Sequence, residues 1–233
     1  MNSNNNLRSD TLTTVASFEN EPIERLFLDE INASYAELRL LLPSLPNQLR
    51  VIFGTNYDYG EDGVTGSAVS ADVIKIGIDS SVVDRTKQYE KIRSLVFHEG
   101  YHLAQNFHLG SQFSAVESAI YEGCATIFER DYADSTPKWA NYSKEDTATL
   151  WRWYEAMKDI SAEQYFEPSG ETWKKWAFYD AETNESWRVY KVGTWLVEDI
   201  LKKNDLDIID LSSMTASDIL TYLQKNKHNL VKS

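Results

Sequence analysis

Two histidines four residues apart, with a glutamate beside the first, make His98-Glu99-Gly100-Tyr101-His102 the segment best equipped for chemistry. On a helix, positions i and i+4 lie about 40° and 6 Å apart, one turn above the other. Two imidazoles so placed reach one tetrahedral ion at bond lengths of about 2.0–2.1 Å, the donors and geometry that suit zinc. Glu99 points too far round the helix to bind that ion directly, but it reaches a water there, where a general base is needed. The chain has only four histidines, so a chance match is rare, on the order of one in a hundred sequences of this composition. Ile92, Leu95, Val96, Leu103 and Phe107 recur around the motif at helical spacing and predict the helix that must carry it.

Three downstream residues could complete the donor set. Glu122 comes twenty residues after His102, in Ala119-Ile120-Tyr121-Glu122-Gly123-Cys124-Ala125. This arrangement resembles the gluzincins, the thermolysin-like peptidases in which a Glu on the following helix stands at this separation. The resemblance implies a turn at His108-Leu109-Gly110-Ser111 and an antiparallel helix returning the carboxylate to the His pair. Small residues Ala119, Gly123 and Ala125 are expected to permit that approach. His108 is the alternative, because His98, His102 and His108 have the ligand spacing of the metzincins, with Met214 as the candidate for their Met-turn. Gln105, however, stands where metzincins have the Gly that breaks the helix. On a continuous helix His108 would lie about 9 Å along the axis from His102 and on another face. The third residue is Cys124, since Glu122-Gly123-Cys124 is similar to the EGC motif of peptide deformylases. There EGC precedes HExxH, whereas here it follows. Cys124 also points about 200° from Glu122 on one helix, so it is expected to be a small packing residue.

More broadly, residues 65–200 resemble bacterial predicted zinc-dependent proteases. The matching pieces are Ile74-Lys75-Ile76-Gly77-Ile78, His98 to His102, Glu122-Gly123-Cys124-Ala125 and Tyr190-Lys191-Val192-Gly193. The resemblance implies Zn2+ on His98, His102 and Glu122, with Glu99 as catalytic base. It also implies Tyr190 as the donor to the oxyanion on the substrate carbonyl, with Gly193 permitting close helix packing. Arg188 reads as a solvated side chain, or as a partner for a substrate carboxylate. Thermolysin-like enzymes orient a zinc-bound His with an Asp four residues after the Glu ligand. That position is Thr126 here, so Thr126 or Glu129 is expected to partner the imidazole. The strand over 73–78 is expected to be the edge that pairs with extended peptide. Asp58, Glu61 and Asp62 lack regular calcium-ligand spacing and read as a solvated loop.

The 233 residues carry a net charge of −13, which argues against nucleic acid and against an anionic membrane surface as partners. No apolar run approaches the roughly 20 residues of a membrane span. Met1 to Thr14 is polar, without a segment of signal-peptide type, so the expected location is cytoplasmic, or exported after a signal has been removed. A single cysteine excludes an internal disulfide, and oligomeric state is left open.

Periodicity predicts helices over 22–42, 86–108, 111–131, 143–160, 186–203 and 215–227, the fourth capped within Ser143-Lys144-Glu145-Asp146. Strands are expected over 49–55 and 72–78, a loop over 56–66, and irregular chain over 161–185. The expected fold is α+β, a small N-terminal sheet followed by a mostly helical body with a zincin-like active-site helix. It forms a single domain over 17–233 after a disordered leader, 1–16. The expected function is hydrolysis of a peptide or protein substrate. The alternatives are a metzincin-like peptidase using His108, or a metallopeptidase-like fold serving as a non-catalytic binding module, to which the intact Glu99 is opposed.

Overall fold

Helix α1 (Arg25–Leu41) forms because Phe27, Ile31, Tyr35 and Leu38 fall on one face, and all four are buried. The computed structural model describes residues 25–54, 63–79, 81–82, 85–105 and 112–230, with side chains up to residue 223. The leader expected over 1–16 lies outside these. After α1 come strands β1 (Arg50–Gly54), β2 (Val64–Ser70) and β3 (Val73–Ile78), then helix α2 (Arg85–Ala104). The remaining elements are helical apart from one small hairpin, so the fold is α+β with its sheet near the N-terminal end.

The sheet order is β1-β3-β2, with β1 parallel and β2 antiparallel to β3. This corrects two expectations. The strand over 73–78 is the middle strand, with Val73, Ile74 and Ile76 buried, so it offers no free edge. The edge strand that lies against α2 is β2, whose first residues were expected to be loop. Its sequence, Val-Thr-Gly-Ser-Ala-Val-Ser, has little apolar signal because none of its side chains is buried. Gly66 on β2 lies so close to α2 that a Cβ there would meet Leu95 Cδ1 at 2.5 Å.

α2 is buried almost all round from Val96 to Leu103, which suits a helix at the centre of the molecule. Gln88, itself fully buried, ties its first turns to the sheet by donating Nε2 to the Gly63 and Asp79 carbonyls at 3.0 and 2.9 Å. Gly100 faces α1, where an added Cβ would meet Leu38 Cδ2 at 2.1 Å. A side chain at this position of the motif would make Leu38 of α1 move aside.

Helix α3 (Ala115–Tyr132) opens with a capping box. Ser114 Oγ accepts from Glu117 N–H, and Glu117 Oε2 accepts from Ser114 N–H at 2.9 Å. Helix α4 (Thr147–Lys158) starts later than expected, because Asp146 rather than Ser143 is its cap and accepts from Thr149 N–H at 2.7 Å. The stretch expected to be irregular contains α5 (Ala162–Tyr165), α6 (Glu171–Ala177) and a hairpin of β4 (Tyr179–Asp180) with β5 (Glu185–Ser186). Helices α7 (Arg188–Asn204), α8 (Ile208–Leu211) and α9 (Ala216–Leu230) follow. Among the described residues, no helix is long and apolar enough to cross a membrane.

α3 and α7 cross backbone to backbone. A Cβ on Gly193 would meet the Ala119 carbonyl oxygen at 1.8 Å, and one on Gly123 would meet Gly193 C at 2.2 Å. The close approach expected from Ala119 and Gly123 therefore serves α7 rather than α2. Backbone atoms cannot swing aside as a side chain can, so Gly193→Ala should cost about 1–3 kcal/mol of stability. Urea unfolding would read this as a lower midpoint at unchanged slope, and an unchanged midpoint would refute the tight crossing.

Candidate metal centre

α2 supplies His98, Glu99 and His102, and α3 supplies Glu122 and, seven residues on, Glu129. Seven residues are close to two full turns, so the two glutamates share the face turned to α2. Three donor atoms meet there. His98 Nε2 lies 3.1 Å from His102 Nε2, and Glu122 Oε2 lies 3.3 Å from each. Donors bound at about 2.0–2.1 Å around a tetrahedral zinc stand about 3.3–3.4 Å apart, so the spacing of the set suits such an ion. Among the described residues, these three form the group that could hold a metal.

His98 is gripped from behind. Its Nδ1 faces Glu129 Oε2 at 3.1 Å, and the other oxygen of that carboxylate accepts from Ser135 Oγ at 2.6 Å. Glu129 is thus the carboxylate partner of the imidazole. Thr126 is buried with its hydroxyl unbonded among the described residues, and does not take that part.

Burial raises the Glu122 carboxyl, but the two imidazoles outweigh it and hold the group at about 2. Burial lowers the His98 imidazole, but Glu122 and Glu129 together lift it well above its ordinary value. Glu99 is 6% exposed, and burial raises its carboxyl despite the opposing pull of His98 and His102. The backbone N–H of Ala68, on edge strand β2, is directed at that carboxylate.

Tyr190 enters from α7. Its phenol stands close enough to Glu122 to feel that carboxylate, and burial followed by the Glu122 charge pushes it well above its usual range. Two indoles flank its ring, Trp187 at 5.9 Å and Trp139 at 6.5 Å. Trp187 caps α7 in the left-handed region, φ 60° and ψ 31°, an uncommon conformation for a bulky residue. Tyr165, only 1% exposed, is close enough to feel the Glu122 charge. Ala68, Ser135 and Tyr165 escaped sequence reasoning because no local pattern marks a residue that matters only through the fold.

The other candidates fare differently. His108, Asp58, Glu61 and Asp62 lie outside the described residues. Arg188 neither faces solvent nor awaits a substrate. It is 4% exposed, bonded to Asp180 Oδ2 at 2.9 Å, Glu185 Oε2 at 3.2 Å and the Lys175 carbonyl at 2.8 Å, and stacked on Trp176. Cys124 is fully buried, as a packing residue should be, and burial pushes its thiol up to about 12. Native protein at about pH 8 should therefore resist alkylation that goes to completion once it is unfolded. Rapid labelling of the native thiol would contradict that placement.

No curated protein and no solved structure matches the chain. A family model described as "Predicted Zn-dependent protease (DUF2268)" matches residues 45–221, which span all three sheet strands and every residue of the His-His-Glu cluster. With about three-quarters of its length so matched, the chain belongs to this family of predicted zinc-dependent proteases.

Proposed function

We propose that the protein is a zinc-dependent peptidase of gluzincin type, a zincin-like domain in which His98, His102 and Glu122 hold the ion. The observation that carries this reading is the donor triangle of 3.1–3.3 Å drawn from two helices. When bound, zinc supplies Lewis acidity to the scissile carbonyl and to the attacking water.

The remaining chemistry belongs to the side chains. Glu99 takes a proton from the attacking water on its carboxylate and returns it to the leaving amine nitrogen. Its raised affinity for protons, set by burial, suits a group that must carry one between two steps. Ala68 N–H on β2 is turned toward that carboxylate. β2 presents its outer edge beside Glu99 and pairs with an extended peptide, the bulge at Val69 marking the end of that edge. Tyr190 remains protonated at neutral pH and donates its hydroxyl to the carbonyl oxygen as charge builds there.

Glu99→Gln should retain zinc and lose about 10²–10⁴ in kcat on a quenched fluorescent peptide mixture. Hydrolysis near the wild-type rate would rule out Glu99 as the base. Tyr190→Phe should lower kcat by about 10²–10³ with KM little changed and metal content intact. A rise in KM alone would reassign Tyr190 to substrate binding.

A further inference from the structure

The turn after α3 bends back on the helix it leaves. Ala133 N–H bonds to the Glu129 carbonyl at 2.9 Å, and Asp134 then adopts φ 52°, in the left-handed region. That reversal brings Ser135 over the last turns of α3, where its hydroxyl donates to Glu129 Oε1 at 2.6 Å. Such a length is that of a charge-assisted O–H···O⁻ bond. Glu129 is 1% exposed, so water does not compete strongly for its carboxylate. Each carboxylate oxygen then has its own partner, Ser135 on Oε1 and His98 Nδ1 on Oε2.

We propose that Ser135 is a positioning residue for the metal centre. It fixes the rotation of the Glu129 carboxylate, which holds the His98 ring with Nε2 aimed at Glu122 and His102. The inference rests on the reading of His98 as a metal ligand and adds a residue that lies outside both motif helices. With the hydroxyl removed, Oε1 is left as a buried acceptor and the carboxylate gains freedom to turn away from the imidazole. The Ser135 hydroxyl contributes nothing to the ion directly, so its effect must pass through Glu129.

The test is the zinc dissociation constant of full-length protein, measured by competition with a chromophoric chelator. The variants are Ser135→Ala, Ser135→Thr, Glu129→Gln and the double variant Ser135→Ala/Glu129→Gln. Ser135→Ala should weaken zinc binding about tenfold, while Ser135→Thr, which keeps a hydroxyl, preserves it. In the Glu129→Gln background the Ser135→Ala change should add little, since the two residues act in series. Wild-type affinity in Ser135→Ala overturns the proposal, and so does a tenfold loss that persists undiminished in the Glu129→Gln background. Failure of the wild type itself to bind zinc overturns the metal-site reading and this proposal with it. The two failures are therefore distinguishable.

Discussion

Three potential donor atoms from two helices meet at 3.1–3.3 Å in a largely buried place, and the carboxylates of Glu99 and Glu129 stand beside them. Two imidazoles and three carboxylates packed together are costly in a low-dielectric interior unless their charges are compensated. The His98 imidazole and the Glu99 carboxyl both hold a proton more tightly than usual, His98 because Glu122 and Glu129 face it and Glu99 because it is buried. A divalent cation among the donors would compensate the carboxylates while leaving Glu99 free to exchange its proton. The rest of the structure can be understood as the means of holding those two helices at the separation this requires.

The means are spread along the chain. Gly100 lets α1 lie directly on the motif helix, and Gln88 ties that helix to the sheet. The Ser114–Glu117 box sets where α3 begins and hence which of its residues face α2. The Gly123–Gly193 crossing brings α7 so close to α3 that Tyr190 stands near Glu122. Behind the site, the turn at Asp134 and Ser135 completes the support of His98. Each device stands in a different segment, so the site depends on the whole fold although its donors lie within 25 residues, from His98 to Glu122.

Much of this was legible in sequence because helical periodicity converts spacing into direction. His98, His102 and Glu122 could be placed together from that rule and a resemblance, and Glu129 was one of two residues expected to partner an imidazole. The edge strand was not legible. β2 is made of small and polar residues without buried side chains, so it has no alternation to read, and the sequence pattern points instead to the more apolar β3. Arg188 reads as a surface residue by type, yet Asp180, Glu185 and Trp176 enclose it, and those partners become neighbours only when the β4–β5 hairpin folds over α6. Ser135 and Tyr165 were invisible for the same reason, since their importance comes from contacts across the fold.

The central claim is that Glu122 joins the two histidines in holding one ion. Its most direct test is zinc content by elemental analysis of purified wild type and Glu122→Ala at neutral pH, after saturation with zinc and removal of the excess. The account predicts about one zinc per wild-type chain and loss of most of it in the variant. Equal zinc in both proteins would contradict the account and turn attention to His108 as the third ligand.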